Sequence, residues 1–183
     1  MVVFFCIFAD QSVYFLSGYE YKNAILPMRI LMPTVLFIGL SNLLGIQMLV
    51  PMGKEKHILY SELLGAVVDF VINLELIPRY ASVGAAIGTL VAELVVLLYQ
   101  FIILRNIVSD ILKKISYWKI IVATVVAVVC SLIVLKFPLS NFWTLFISSI
   151  VFFGSYSLII TILKEDLTIE LIIGIIARAR RQK

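Results

Sequence analysis

Residues 58–105 read ILYSELLGAVVDFVINLELIPRYASVGAAIGTLVAELVVLLYQFIILR. Two apolar segments in this stretch approach the ~20 residues that a helix needs to cross a bilayer. The connector at 76–86 contains Pro78 and Gly84 and predicts a turn between two membrane helices. Asp69, Asn73 and Glu75 occupy positions in the first segment where lipid-facing residues would be expected. We therefore expect this helix pair to be the functional part of the chain.

The composition places the chain among integral membrane proteins. Hydrophobic residues make up 62% of it and charged residues 14%, with a mean hydropathy of +1.11, whereas soluble domains are about half apolar and a quarter charged. The net charge of +4 does not indicate a nucleic-acid partner, because the cations lie between the apolar segments and at the C-terminus, where membrane topology explains them.

The punctuation of the apolar segments predicts an all-α, polytopic membrane helical bundle. A truncated or partial membrane helix is expected at 1–17, the bundle at 18–163, and a cytoplasmic basic tail with a short interfacial helix at 164–183. The expected full spans are residues 30–50, 58–77, 83–104, 120–135 and 142–163.

The distribution of Lys and Arg predicts the orientation of the bundle. The loops at 51–57 and 105–119, together with the tail at 164–183, carry 11 of the 15 Lys and Arg residues. Cytoplasmic loops carry an excess of these residues. We therefore expect a C-terminus in the cytoplasm and a connector near Pro78 on the opposite side.

The second full span carries a polar face. Glu62, Asp69 and Asn73 are seven and four residues apart, which places them on one side of a helix. A charge at mid-bilayer costs at least ~2.5–3.5 kcal/mol on insertion scales, so Asp69 is not expected to face lipid. The face either lines a substrate or ion pathway or makes structural polar contacts with packed helices. Glu75 points elsewhere and is expected at the membrane interface or paired with a neighbour.

The third full span combines a packing pattern with polar residues. Gly84, Gly88 and Ala92 recur every four residues, a spacing that allows close helix approach. Thr89 and Glu93 lie on an adjacent face, with Gln100 further along it. If this face meets the Asp69 face, the two helices enclose a hydrophilic seam; alternatively, Glu93 only hydrogen-bonds a neighbouring helix.

The first full span has Asn42 and Gln47 among glycines and a proline. Asn42 either completes the same seam or links helices by a hydrogen bond. Arg29 precedes this span near the expected outer face.

The sequence lacks the motifs that are typical of metal sites, phosphate-binding sites and catalytic nucleophiles. No His, Cys or Asp cluster has the spacing of a metal site, and neither a phosphate-binding loop nor a nucleophile elbow is present. His57 lies beside charged residues and is expected to be a solvated loop side chain. We expect no enzyme activity, no cofactor and no metal.

An ordered set of motifs resembles one transporter family. It comprises PMRILMP at 27–33, GLSNLLGIQ at 39–47, PMGKEK at 51–56, and NLELIPRY at 73–80 followed by GAAIGT at 84–89 and Glu93. The combination resembles the C-terminal half of the polysaccharide biosynthesis flippases, the O-antigen or capsular repeat-unit transporters of the multidrug/oligosaccharidyl-lipid/polysaccharide superfamily. The match covers about 18–105. Asp69 stands where relatives commonly have Asn, and Ala81 where they usually have Gly.

The resemblance implies a fold and a function. It implies two six-helix lobes around a cavity that opens alternately to each side and moves undecaprenyl-pyrophosphate-linked oligosaccharides across the bacterial inner membrane for O-antigen, capsule or exopolysaccharide export. The chain would supply a C-terminal fragment or one half of a transporter. Its partners would be the lipid-linked oligosaccharide, membrane lipids, and an N-terminal lobe or other polysaccharide assembly proteins. The candidate pathway residues are Arg29, Asn42, Gln47, Glu62, Asp69, Asn73, Thr89 and Glu93.

The charges within the predicted spans limit which part of such a substrate this chain can bind. A pyrophosphate favours Arg or Lys, whereas the membrane-embedded charges here, Asp69, Glu75 and Glu93, are acidic. The main pyrophosphate ligands are therefore expected in the N-terminal lobe. Two alternatives are a non-transporting membrane module that assembles through Gly84, Gly88 and Ala92, and a cation-coupled multidrug exporter of the same superfamily.

Overall fold

The computed structural model of the protein describes residues 1–113 and 116–163, and within these ranges it contains helices and no strands. The helices are α1 (Val2–Ile7), α2 (Ala9–Ser17), a 3-10 helix (Tyr19–Ala24), α3 (Ile25–Asn42), a π-helical segment (Leu43–Leu49), α4 (Glu55–Tyr80), α5 (Ser82–Leu112), α6 (Tyr117–Val134) and α7 (Asn141–Ile162).

Among the described residues, five helical segments are long and apolar enough to cross a membrane. They are Tyr19–Leu49, Glu55–Tyr80, Ser82–Ser109, Tyr117–Val134 and Asn141–Ile162. The predicted all-α, multi-pass architecture is confirmed. α5 continues to Leu112 and α6 begins at Tyr117, so Arg105 lies on a helix and not in the loop expected at 105–119. The predicted tail at 164–183 lies outside the described residues.

The described chain forms two units, of which the first covers Met1–Lys113. In this unit α4 packs along α5, and α3 packs against α5. An apolar cluster holds the π-helical segment that follows α3 against α5. It consists of Leu44 and Leu49 from that segment and Leu104 and Val108 from α5. Leu49 and Leu104 are fully buried, so this cluster fixes the position of the π-helical segment.

The connector between α4 and α5 is much shorter than the sequence predicted. The turn expected at 76–86 reduces to Ala81, which has φ 48° and ψ −123°. Pro78 does not end α4, which continues to Tyr80; the proline only removes the one hydrogen bond that its nitrogen would donate to the Leu74 carbonyl. Gly84, in the first turn of α5, lies directly against the Leu76 carbonyl of α4, so the two helices are in contact as soon as α5 begins.

The second unit contains the helix pair α6 and α7, which pack against each other. The buried residues of α6 include Ala123, Ala127 and Ser131, and those of α7 are Thr144, Ser148 and Phe152. Both sets recur every four residues, the spacing of one helix face. Small side chains therefore allow these two helices to approach closely.

Candidate functional site

A cavity of about 210 Å³ lies between α4 and α5. Its lining residues are Glu62, Gly65, Ala66, Asp69, Thr89, Ala92, Glu93 and Val96. The residues on α4 follow the i, i+3, i+4, i+7 spacing of one helix face, and those on α5 do the same. Ala66 and Ala92 are small and leave the space, Gly65 allows Val96 of α5 to pack against α4, and three carboxyl groups and one hydroxyl give the cavity a polar lining.

Two acceptor oxygens near this cavity have no donor among the described residues. Asp69 Oδ1 and Asn73 Oδ1 are both inaccessible to solvent and make no hydrogen bond to that part of the chain. Both face Gly88 on α5, where an added Cβ would contact the Asn73 amide and would stand 3.1 Å from Asp69 Oδ1. Gly88 thus permits the contact between the helices. A buried acceptor without a donor costs about 1–3 kcal/mol, so this close contact is made at a cost in free energy.

The charge of the cavity restricts what it can bind. Glu62 is exposed, and Asp69 and Glu93 are half-buried, so their mutual repulsion is only partly screened by solvent. Within residues 1–113 and 116–163, no three His, Cys, Asp or Glu side chains lie close enough together to hold a metal ion. The cavity can therefore accept hydrogen bonds from hydroxyl or amine groups and attract cations, and it repels anions.

Asn73 also borders a second, apolar cleft. This cleft has a volume of about 340 Å³ and is lined by Phe70, Asn73, Leu74, Ile77 and Pro78. All of these side chains belong to α4, and most are exposed. This apolar surface therefore follows the polar cavity along α4, with Asp69 in the lining of the cavity and Phe70 in that of the apolar surface.

The residues predicted to pack are located where α4 and α5 approach most closely. Gly84 contacts the Leu76 carbonyl, and Gly88 contacts Asn73. Ala92 is buried as well but also lines the cavity. The sequence pattern therefore combines two tasks: the glycines bring the helices together, and the alanine leaves the space.

Four predicted pathway residues lie outside the cavity lining. Asn73 packs against α5, and Asn42 and Gln47 are exposed on α3 and the π-helical segment. Arg29 forms an ion pair with Asp10 at 2.8 Å, in which the two side chains are 44% and 41% exposed. This ion pair links α2 to α3 and engages the Arg29 guanidinium.

Two interactions at the other end of the α4–α5 pair differ from the sequence prediction. His57 is not a solvated loop residue: it lies in the first turn of α4, is half-buried, and contacts the Tyr99 hydroxyl through Nδ1 at 3.2 Å. Gln100 does not line the cavity with Thr89 and Glu93. It is 1% exposed, and its Nε2 donates to Ser61 Oγ at 2.9 Å.

Glu75 has the neighbouring partner expected for it. Its carboxylate bonds Arg79, one turn later in α4, at 3.0 Å. The pair is well exposed and lies outside the cavity lining, so Glu75 provides a carboxylate control for the cavity residues.

The chain matches no protein-family model, no curated protein sequence and no solved structure.

Proposed function

We propose that the chain is part of a membrane transporter that moves a lipid-linked oligosaccharide across the bacterial inner membrane, acting as the second lobe of a flippase with its C-terminus in the cytoplasm. The observation that carries this proposal is the acceptor-rich cavity within an apolar helix pair. Polar groups at membrane depth are costly and are typical of transport pathways. The acceptors in the cavity lining are the carboxyl groups of Glu62, Asp69 and Glu93 and the hydroxyl of Thr89.

The chemistry of the cavity favours the saccharide part of such a substrate. Sugar hydroxyls are donors, and a carboxylate accepts stronger hydrogen bonds than a neutral group does. A diphosphate would be repelled by Glu62, Asp69 and Glu93, and Arg29 already pairs with Asp10. We therefore assign the sugar to this cavity and the diphosphate to cations of a first lobe.

The apolar cleft beside Asn73 supports a substrate with two kinds of surface. Phe70, Leu74 and Ile77 offer hydrocarbon contact next to the polar cavity. A lipid-linked sugar has an apolar chain and a hydroxylated head, so it can contact both surfaces at once. A free oligosaccharide would lose the apolar part of that contact.

The three carboxyl groups favour a second candidate function, which is cation-coupled export. A cavity with this charge attracts cations or cationic drugs. The two functions differ in what they require of the side chains. A sugar needs acceptors, which amide groups also provide, whereas a cation needs the negative charge itself.

The test is ligand binding by the purified protein in lipid nanodiscs, measured by native mass spectrometry. The probes are a polyprenyl-diphosphate oligosaccharide, the same polyprenyl diphosphate without sugar, and a lipophilic cation. We expect binding of the first probe to weaken at least ~10-fold in Asp69→Leu/Glu93→Leu, because charge-assisted hydrogen bonds of about 1.5–3 kcal/mol are lost.

The amide variant Asp69→Asn/Glu93→Gln separates the two functions, and Glu75→Leu is the matched control outside the cavity. Saccharide binding should survive in the amide variant and in the control, whereas binding of a cation should survive only in the control. Equal binding of the lipid with and without sugar, or no effect of the leucine variant, would contradict the saccharide assignment and leave the non-transporting assembly module as the better description.

A further inference from the structure

Three helical segments of the first unit meet at one buried amide. Gln100 of α5 donates from Nε2 to Ser61 of α4, and the Ser61 hydroxyl donates to the Ile58 carbonyl at 2.7 Å. A hydroxyl has a single hydrogen, so Ser61 can only accept from Gln100. The amide nitrogen must therefore face Ser61, and the amide oxygen must point the other way.

The Gln100 amide lies against the π-helical segment, and its oxygen has no donor among the described residues. Gln100 Oε1 is inaccessible to solvent and makes no hydrogen bond to that part of the chain. A Cβ added to Gly45 would lie 3.3 Å from this oxygen and 3.4 Å from the amide nitrogen. Only a residue without a side chain fits at this point without displacing the amide. The π-helical segment thus lies against a polar group that it leaves unsatisfied, which disfavours this packing.

The backbone of this segment is itself unusual. Val50 N–H bonds the Gly45 carbonyl at 3.1 Å, five residues back, instead of four as in an α-helix. π-helical turns are rare and occur frequently at functional sites. Pro51 follows directly and can donate no backbone hydrogen bond. The segment therefore has no regular helix after it to keep its hydrogen bonding in the α-helical pattern.

Met48, the neighbour of Leu49 in sequence, is suited to take its place in the apolar cluster. Leu49 is fully buried in the cluster with Leu44 and Leu104, and Met48 packs against the same cluster from its edge. A change of the segment from i+5 to i+4 bonding rotates its far end about the helix axis by the angle between two successive residues. This rotation moves Met48 toward the position of Leu49. Methionine is flexible and fits irregular apolar spaces, so it can replace leucine there.

We propose that Leu43–Leu49 is a two-register switch at the end of α3, in which Gln100 opposes the π register. Leu49 in the apolar cluster holds the π register. In the α register the narrower helix withdraws from the amide and leaves room for a water molecule at Oε1, since a buried water bonds such polar groups. This inference is independent of the transported substrate.

The test measures the distance between spin labels on the full chain in nanodiscs. Labels replace Val50, at the end of the segment, and the exposed Ile102 of α5 in a chain carrying Cys6→Ser and Cys130→Ser. A turn of about 100° at the helix surface moves the first label by ~8 Å, so the two registers give separate distances.

Two substitutions shift the registers in opposite directions. Gly45→Ala adds a methyl group against the amide and should make the distance that belongs to the α register the major one. Gln100→Met removes the unsatisfied oxygen and should reduce the population at that distance at least ~5-fold. Gly39→Ala is the matched control, because nothing lies within 4 Å of its added Cβ, and it should leave the distances as in the parent chain. A single distance that is the same in Gly45→Ala and Gly39→Ala would overturn the proposal.

Discussion

The α4–α5 and α6–α7 pairs both pack through small residues spaced four apart, but they are built differently. Gly84 and Gly88 bring α5 against the backbone and side chains of α4. In the second unit the same positions of the pattern are filled by Ala123, Ala127 and Ser131. Glycine gives the closest approach of two helices, whereas alanine and serine give an ordinary packed contact.

Their polar groups differ as well. Ser131 and Ser155 of the α6–α7 pair donate to carbonyls of their own helices at 2.9 and 2.6 Å. In the α4–α5 pair, oxygens of Asp69, Asn73 and Gln100 have no donor among the described residues. Ser148 is the one α7 residue with a buried hydroxyl that has no partner in the same part of the chain. The comparison shows that small-residue packing predicts contact only, and that the α4–α5 contact leaves more buried oxygens without a hydrogen bond than the α6–α7 contact does.

The largest expected difference between the pairs comes from adding one methyl group. Gly84→Ala should destabilise the first unit by about 2–3 kcal/mol, because the added Cβ meets the Leu76 carbonyl and the Ile77 nitrogen, and backbone cannot move as a side chain can. Gly154→Ala in α7 meets nothing within 4 Å and should stabilise by about 0.5–1 kcal/mol.

Each unit contains one free thiol, Cys6 in the first and Cys130 in the second. Thiol labelling during SDS-induced unfolding in mixed micelles therefore reports the two units separately. A Gly84→Ala transition that shifts at Cys130 as much as at Cys6 would contradict the assignment of this contact to the first unit.

Removing a buried hydroxyl should have unequal effects in the two pairs. Ser61→Ala leaves the Gln100 amide nitrogen without an acceptor and should cost about 1–3 kcal/mol. Ser131→Ala is equally buried but loses only a bond within its own helix, so a change within about 0.5 kcal/mol is expected. The same labelling measurement compares them, and similar losses in both variants would show that the Ser61–Gln100 bond contributes little.

Glycine substitutions in the two connectors should change the stability of the protein in opposite directions. Ala81 has φ 48°, a conformation that costs a non-glycine residue about 1 kcal/mol or more, so Ala81→Gly should stabilise by about 1 kcal/mol. Ser140, before α7, has φ −66° and ψ 157° and makes no side-chain cap bond. Ser140→Gly should therefore destabilise slightly, since glycine adds freedom to the unfolded chain. Destabilisation by Ala81→Gly, read from Cys6 labelling, would contradict the backbone assignment.

The smallest effect is expected at the exposed ion pair of α4. Glu75→Gln removes the bond to Arg79 and should change stability by less than about 0.5 kcal/mol, because exposed pairs one turn apart contribute little. Raising the salt concentration should reduce even this difference. A loss larger than 1 kcal/mol at high salt would show that Glu75 has a partner besides Arg79 and would disqualify it as the control for the cavity.

Much of the fold could be predicted because the membrane leaves few choices. The apolar lengths and their breaks predicted the helical spans, and the seven- and four-residue spacings placed Glu62, Asp69 and Glu93 on facing sides of α4 and α5. Backbone groups in lipid must be bonded within a helix, so apolar length carries most of the structural information.

Features set by contacts between segments could not be predicted in the same way. The connector at 76–86 looked long because Pro78 and Gly84 are turn residues, yet Pro78 is tolerated near a helix end and Gly84 serves a close contact. The partners of His57, Gln100 and Arg29 lie 42, 39 and 19 residues away. Such distant pairings depend on how helices rotate about their axes, which one sequence does not determine.

Ala81 holds α4 and α5 together at one end, so the two helices can only rotate relative to each other about this residue. One residue joins a helix of 26 residues to one of 31, so the two cannot slide or separate at the connector. α4 is about 39 Å long at 1.5 Å per residue, and a rotation of about 5° about Ala81 would move its far end, near His57 and Ser61, by ~3 Å. Any widening of the pair must therefore grow with distance from Ala81 and be larger at the Glu62 side of the cavity than at the Asp69 side.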